Sequence, residues 1–176
     1  LAGYAVSDRF GQDFDPMHPV LLLIGLYLVA GGGFALNQAQ EWRIDSLMPR
    51  TKKRPIPSGV FAPWQGYAVG TLMAVAGLFI LLVLSAVTAG LALATLVLYN
   101  GVYTYIWKRQ WACGAVPGAV PGAMPVVIGY SVNTHEIWRP DCLYLFLILF
   151  LWQMPHFWSL AIRFREDYRA GGIPVL

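Results

Sequence analysis

Charge is scarce in this chain. Only 12% of its 176 residues are Asp, Glu, Lys or Arg, against 57% hydrophobic, where a soluble domain carries about 25% charged residues. Together with a mean hydropathy of +0.56, this excludes an ordinary water-soluble globule and points to a membrane protein. A net charge of +3 is too small to argue for a nucleic-acid partner. Cysteine is nearly absent as well. Cys113 and Cys142 are far apart with no C-x-x-C spacing, which excludes a zinc cluster and a disulfide framework, and both are read as small packing residues in or beside apolar stretches. The start at Leu1 shows no charged region followed by a cleavage site, so no signal peptide is read. The expectation is a segment cut at both ends.

What is abundant is apolar runs of membrane length. Leu1–Val6 reads as the end of a span, and Ser7–Pro19 as a polar connection. Full spans follow at about Val20–Leu36, Trp64–Leu84 and Thr88–Trp107, a fourth opens at Gly114 ahead of a polar loop at Asn133–Asp141, and a fifth runs over about Cys142–Ile162, most of them near the twenty residues that cross a bilayer. The expected fold is all-α, a polytopic transmembrane helical bundle of five full spans plus an N-terminal stub, forming a single domain over 1–176. Gly31-Gly32-Gly33 in the first full span permits close approach by a neighbour. The fourth span opens on GAVP-GAVP-GAMP. Its glycines share one face and Pro117, Pro121 and Pro125 another. Interior prolines break backbone hydrogen bonds, which a membrane tolerates where protein or a wet cavity restores them, so this span is expected to be kinked and to face the bundle interior.

The charge that remains is concentrated. Alternating spans put Arg43, Arg50, Lys52, Lys53, Arg54, Lys108, Arg109, Arg163, Arg165 and Arg169 on one side, and only Arg9 and Arg139 on the other. The positive-inside rule assigns the richer side to the cytoplasm. Within it, Asn37, Glu41 and Asp45 recur every four residues. At roughly 100° per residue, a step of four drifts about 40°, so the three share a helix face. Arg50 and Arg54 follow, and Pro55 and Pro57 bar further helix. Hard oxygen ligands followed by guanidinium forks suit a Mg²⁺-bound phosphate. Glu166 and Asp167 lie at the same membrane face, near Lys108. Two carboxylate groups there could hold Mg²⁺ bridging a diphosphate, over an apolar bundle that takes a lipidic tail. Ionisation of an allylic diphosphate and prenyl transfer fit this layout.

The run N-x-x-x-E-x-x-x-D followed by LMPRTKKRPIPSG closely resembles the first acidic motif of the UbiA-type membrane prenyltransferases. Tyr103–Arg109, the run PVVIGY from Pro125, the run LWQMPH ending at His156 and the tail FREDYRAGGIPVL resemble the branch that farnesylates heme. The resemblance covers nearly everything from Gly33 onward. It implies a helical fold of nine spans and transfer of farnesyl from farnesyl diphosphate to a vinyl group of heme B, with water addition giving heme O. It further implies that Asn37, Glu41, Asp45 and Asp167 bind Mg²⁺ and diphosphate. Arg50, Arg54 and Lys108 would contact the diphosphate, with Tyr103 and His156 as further substrate-binding candidates, His156 by heme ligation or vinyl positioning. A bacterial-type inner membrane and a route through heme A synthase or heme–copper oxidase assembly are implied too.

Two departures from the family pattern stand out. Position 41 is Glu where Asp is usual, and Gly171 stands four residues after Asp167 where the superfamily often has a second Asp, which leaves the number of metal ions open. Three further readings remain: prenyl transfer to an aromatic quinone precursor, a secondary transporter with broken helices, and a non-catalytic membrane subunit. His18 and His135, in polar connections, are read as solvated.

Overall fold

The computed structural model describes residues 1–7 and 15–174. Asp8, Arg9 and Asp13 of the first polar connection, and the tail residues Val175 and Leu176, lie outside them. The described residues form helices and turns with no strand. Helix α1 is Ala2–Ser7, α2 Met17–Leu47, α3 Pro63–Leu84, α4 Ala86–Gln110, α5 Ala115–Tyr130, α6 Pro140–Arg163 and α7 Arg165–Ala170. Four of these, α2, α3, α4 and α6, are long and apolar enough to cross a membrane. With the apolar faces described below, this makes the chain an integral membrane protein.

Helix α2 does not stop where its apolar run stops. It carries on through Asn37, Glu41 and Asp45 to Leu47, 31 residues in all, or about 46 Å at 1.5 Å per residue, so its last turns rise past the hydrocarbon core. It ends well before Pro55. Met48 turns extended, and the Thr51 hydroxyl donates to the Asp45 carbonyl at 2.8 Å, satisfying one of the acceptors a helix end leaves open. The connection 48–62 then folds back, with Thr51 and Ile56 buried. Pro63 opens α3 at a position where no amide is needed, and the Gln65 side chain accepts the Ala62 amide at 2.8 Å.

Helices α2 and α3 run antiparallel in close contact, and glycine sets the distance. A Cβ at Gly32 would lie 2.6 Å from the Gly70 carbonyl oxygen, and one at Gly77 would lie 2.7 Å from that of Gly25. The expected role of Gly31–Gly33 holds and extends to a second neighbour, since Gly33 faces Leu96 and Asn100 of α4. Ser85 alone separates α3 from α4, its hydroxyl capping the Val87 amide at 3.2 Å. Leu98–Trp107 of α4 is wound as π-helix, a form that is rare and concentrated at functional sites.

The fourth expected span is shorter than a membrane crossing. Helix α5 has 16 residues, about 24 Å of rise against a hydrocarbon core of about 30 Å. Its burial is as expected: Gly118, Ala119, Pro121, Ala123 and 126–130 are inside. Pro117 lies in the first turn, where its missing amide costs nothing, whereas Pro121 and Pro125 are interior. The stub α1 packs on α5, where Gly3 meets the Val126 carbonyl. Tyr4, Leu22, Val29, Leu81, Ala92 and Ile128 form the central core. Tyr27, Leu72, Phe79, Val83 and Leu151 point outward, as expected of a surface that meets lipid. Cys142 is buried as a packing residue, but Cys113 is exposed. It sits in the turn between α4 and α5, where no second layer covers it, so its reading as a packing residue is corrected.

Candidate functional site

The C-terminal ends of α2, α4 and α6 meet at one end of the bundle, and the charged residues meet with them. Asn37, Glu41 and Asp45 do share a face of α2, turned toward α4 and the 48–62 connection. Lys108 at the end of α4 reaches Glu41 Oε2 with its Nζ at 2.6 Å. Arg54 reaches Asp45 Oδ2 at 2.7 Å. Both carboxylates are almost wholly buried, their side chains 2% and 3% exposed, while the bases keep 21% and 37% of their surface. The acids are thus fixed on the helix and the bases close over them from the open side. Buried charges persist only when paired in this way.

Asn37 completes the row. Its amide donates to Glu41 Oε2 and to Thr104 Oγ1, each at 3.1 Å. Thr104 is fully buried and donates its own hydroxyl to the Tyr99 carbonyl at 2.8 Å. The bond spans five residues and lies within the π-helical stretch. The Tyr99 and Tyr103 rings stack at 5.8 Å between centroids. The other Glu41 oxygen, Oε1, is buried with no hydrogen-bond partner, an unusual state for a carboxylate.

Asp167 arrives from α7. Its carboxylate is 4.0 Å from Arg50 Nε, and the Arg50 guanidinium lies 5.0 Å from the centre of the Phe164 ring. Glu166, beside it in sequence, faces out among Arg165 and Arg169. The two neighbouring acids therefore divide, and only Asp167 turns to the site. Gly171 presses on the end of α2. A Cβ there would lie 3.2 Å from Ile44 Cγ2 and from Met48 Sδ, so the position four after Asp167 packs rather than ligates.

Next to this cluster is a small recess of about 70 Å³ lined by Tyr103, Lys108, Trp111, Phe157, Trp158 and Tyr168, among others. Lys108 belongs to both the recess and the acidic row. His156 does not join them. It is exposed on α6, stacked on Trp152 at 5.4 Å. Among the described residues, no three His, Cys, Asp or Glu side chains gather as a ready metal cluster. The fit to a cation rests instead on the partnerless buried Glu41 Oε1, on Asp45 and on the Asn37 amide, all hard oxygen donors of the kind Mg²⁺ takes.

Sequence reasoning missed Thr51, Tyr99, Asn100 and Thr104. The signal for two of them was present: Asn100, Thr104 and Lys108 recur every four residues in the third span, as Gly33, Asn37 and Glu41 do in the first.

A sequence model of the UbiA prenyltransferase family matches residues 1–176. Protoheme IX farnesyltransferase of Bdellovibrio bacteriovorus is 50% identical over 176 residues, which is all of this chain and 60% of the relative. The enzyme of that name from Bacillus pumilus is 42% identical over the same 176 residues, 57% of its length. That from Marinobacter nauticus is 40% identical over 92% of this chain and 54% of its own. The chain therefore spans little more than half the length of these curated relatives. No solved structure gave a significant match.

Proposed function

Because the chain belongs to the UbiA prenyltransferase family, we propose that it is the greater part of a membrane enzyme transferring farnesyl from farnesyl diphosphate to a vinyl group of heme B, yielding heme O after water addition. The observation that carries this reading is the row of half-buried Asn37 and buried Glu41 and Asp45, the two acids closed over by Lys108 and Arg54 at one end of an apolar bundle. The names of the relatives supply the acceptor.

In this reading the diphosphate head lies at the polar end and the farnesyl chain lies along apolar helix surface. UbiA prenyltransferases generally depend on a divalent metal, and Mg²⁺ bound by Asn37, Glu41, Asp45 and Asp167 would spread the charge of the diphosphate. Lys108, Arg54 and Arg50 are the cations within reach. Each pairs with a carboxylate now, and each would turn a donor to the diphosphate as negative charge builds on the leaving oxygen. The bond from farnesyl C1 to that oxygen breaks, diphosphate leaves with the electron pair, and the vinyl π electrons form the new carbon–carbon bond. Water then supplies a hydroxyl to the remaining cation and loses a proton. Tyr103 would face the farnesyl or porphyrin ring from the recess. His156 would meet the acceptor from the open face of α6. The basic rim supports placing this end on the cytoplasmic side of a bacterial inner membrane, and heme A synthase or heme–copper oxidase assembly would lie downstream.

The test uses the full-length parent in membranes with heme B, farnesyl diphosphate and Mg²⁺, with hemes analysed by mass. Conversion to heme O that is lost in Asp45→Asn supports the reading. Prenylation of an aromatic acid in place of heme sinks the acceptor assignment and keeps the family chemistry. Neither product from folded protein turns attention to transport or to a subunit role.

A further inference from the structure

The sequence motif accounts for the acids of α2 but not for what aims Asn37. An amide side chain has one acceptor end and one donor end, and either can face a neighbour. Here both neighbours decide in the same direction. Glu41 Oε2 is a carboxylate oxygen, which only accepts. Thr104 Oγ1 has a single proton, and that proton is committed to the Tyr99 carbonyl at 2.8 Å, so toward Asn37 it too can only accept. The Asn37 NH₂ must therefore point to both, at 3.1 Å each, and its carbonyl oxygen must point away from them. The π-helical winding of α4 is what brings the Tyr99 carbonyl, five residues back, onto the Thr104 hydroxyl.

We infer that Thr104 is a positioning residue that fixes the Asn37 amide so that its carbonyl oxygen is presented, with the partnerless Glu41 Oε1, as a ligand for a divalent cation. The inference rests on the proposed reading of the site as a metal–diphosphate centre. Of the two anchors, Thr104 is the one that carries no charge and ligates nothing itself. Glu41 is already shared with Lys108 at 2.6 Å, so Thr104 is the contact that holds the amide whatever Glu41 binds.

The experiment measures Mn²⁺ binding to the purified full-length protein in detergent by electron paramagnetic resonance, for the wild type and for Thr104→Val, Thr104→Ala and Thr104→Ser. Loss of an outer-shell partner typically weakens metal affinity about 10- to 100-fold. Thr104→Val and Thr104→Ala are each expected to weaken Mn²⁺ binding at least about tenfold while remaining folded by size exclusion. Having two hydroxyl-free variants covers the case in which one does not fold. Thr104→Ser, which keeps the hydroxyl, is expected to bind within about twofold of wild type, and a role in packing alone would not give this rescue. Wild-type affinity in the hydroxyl-free variants, or serine binding as weakly as valine, overturns the inference and leaves the reading of the site standing. A wild type that binds no Mn²⁺ overturns both.

Discussion

Lys108 and Glu41 lie 67 residues apart in sequence and 2.6 Å apart in space, and the energy of that contact can be tested directly. At an effective dielectric of about 20, two unit charges at this distance attract by about 6 kcal/mol. Desolvation offsets much of that, and removing one partner of a buried pair typically costs about 3–5 kcal/mol because the other charge is stranded. Glu41 would be the stranded group, since its side chain is 2% exposed and its second oxygen already lacks a partner. Lys108→Met should therefore destabilise by about 3 kcal/mol or more. At about 2–4 °C per kcal/mol for a chain of this size, this lowers the unfolding midpoint by at least roughly 6 °C. Glu41→Gln should cost less, because Lys108 keeps a fifth of its surface and can turn outward. The double variant should be more stable than Lys108→Met alone, with a coupling energy of about 2 kcal/mol or more. Thermal unfolding of the purified protein in detergent, with all four corners of the cycle, reads this out. Additive effects, or a Lys108→Met cost under about 1 kcal/mol, would refute the argument that the carboxylate depends on this lysine.

Two glycines give further tests. Gly70→Val would drive a side chain into Leu36 Cγ and the Gly32 carbonyl, 2.8 and 2.9 Å from where its Cβ must sit. It should cost about 1–3 kcal/mol, seen as a lower melting midpoint, whereas Gly90→Ala, with nothing within 4 Å, should leave the midpoint nearly unchanged. Gly171→Asp rebuilds the D-x-x-x-D spacing of the wider superfamily but points into Ile44 and Met48. It should neither tighten Mn²⁺ binding nor raise turnover, and tighter binding would show that the site accepts a ligand from this position.

Much of this arrangement was legible in the sequence, and the parts that were not share a physical reason. Four-residue spacing places Asn37, Glu41 and Asp45 on one face of their own helix, and the charge count brings the basic ends to one side. Both follow from local rules. Which base meets which acid does not. Arg54 takes Asp45 and Lys108 takes Glu41 because of how the 48–62 connection folds and how α4 lies on α2. Glu166 and Asp167 are indistinguishable as a dipeptide, and only the docking of α7 sends one to Arg50 and the other to solvent. His156 stands out in the sequence as an ionisable group in an apolar span, yet its place on the exposed side of α6 depends on which face Gln153 and Met154 bury. The π-helical turn leaves no mark of its own in an apolar run, so although Thr104 keeps a four-residue spacing with Asn100 and Lys108, its bond to the Tyr99 carbonyl shows only once the winding of α4 is seen.

That last pairing has a regularity that links fold to chemistry. Gly33 faces Asn100, Asn37 faces Thr104 and Glu41 faces Lys108, each pair at the same offset along two parallel helices. The pairs are graded. The deepest brings a glycine against a carboxamide, the next is a neutral hydrogen bond, and the outermost is an ion pair. Cost orders them in the same way, because a neutral polar group in a low-dielectric interior needs one good partner while a charge needs an opposite charge and access to a polar boundary. Helix α2 can carry Asn37 and Glu41 into the bundle because α4 meets them with Thr104 and Lys108. The charged step then falls at the end of the bundle, where Asp45 and Arg54 also lie. Lengthening the ladder inward with a second ion pair would remove that grading. On the proposed reading, this order puts charge where the diphosphate head would lie and leaves the deeper helix surface to the apolar chain.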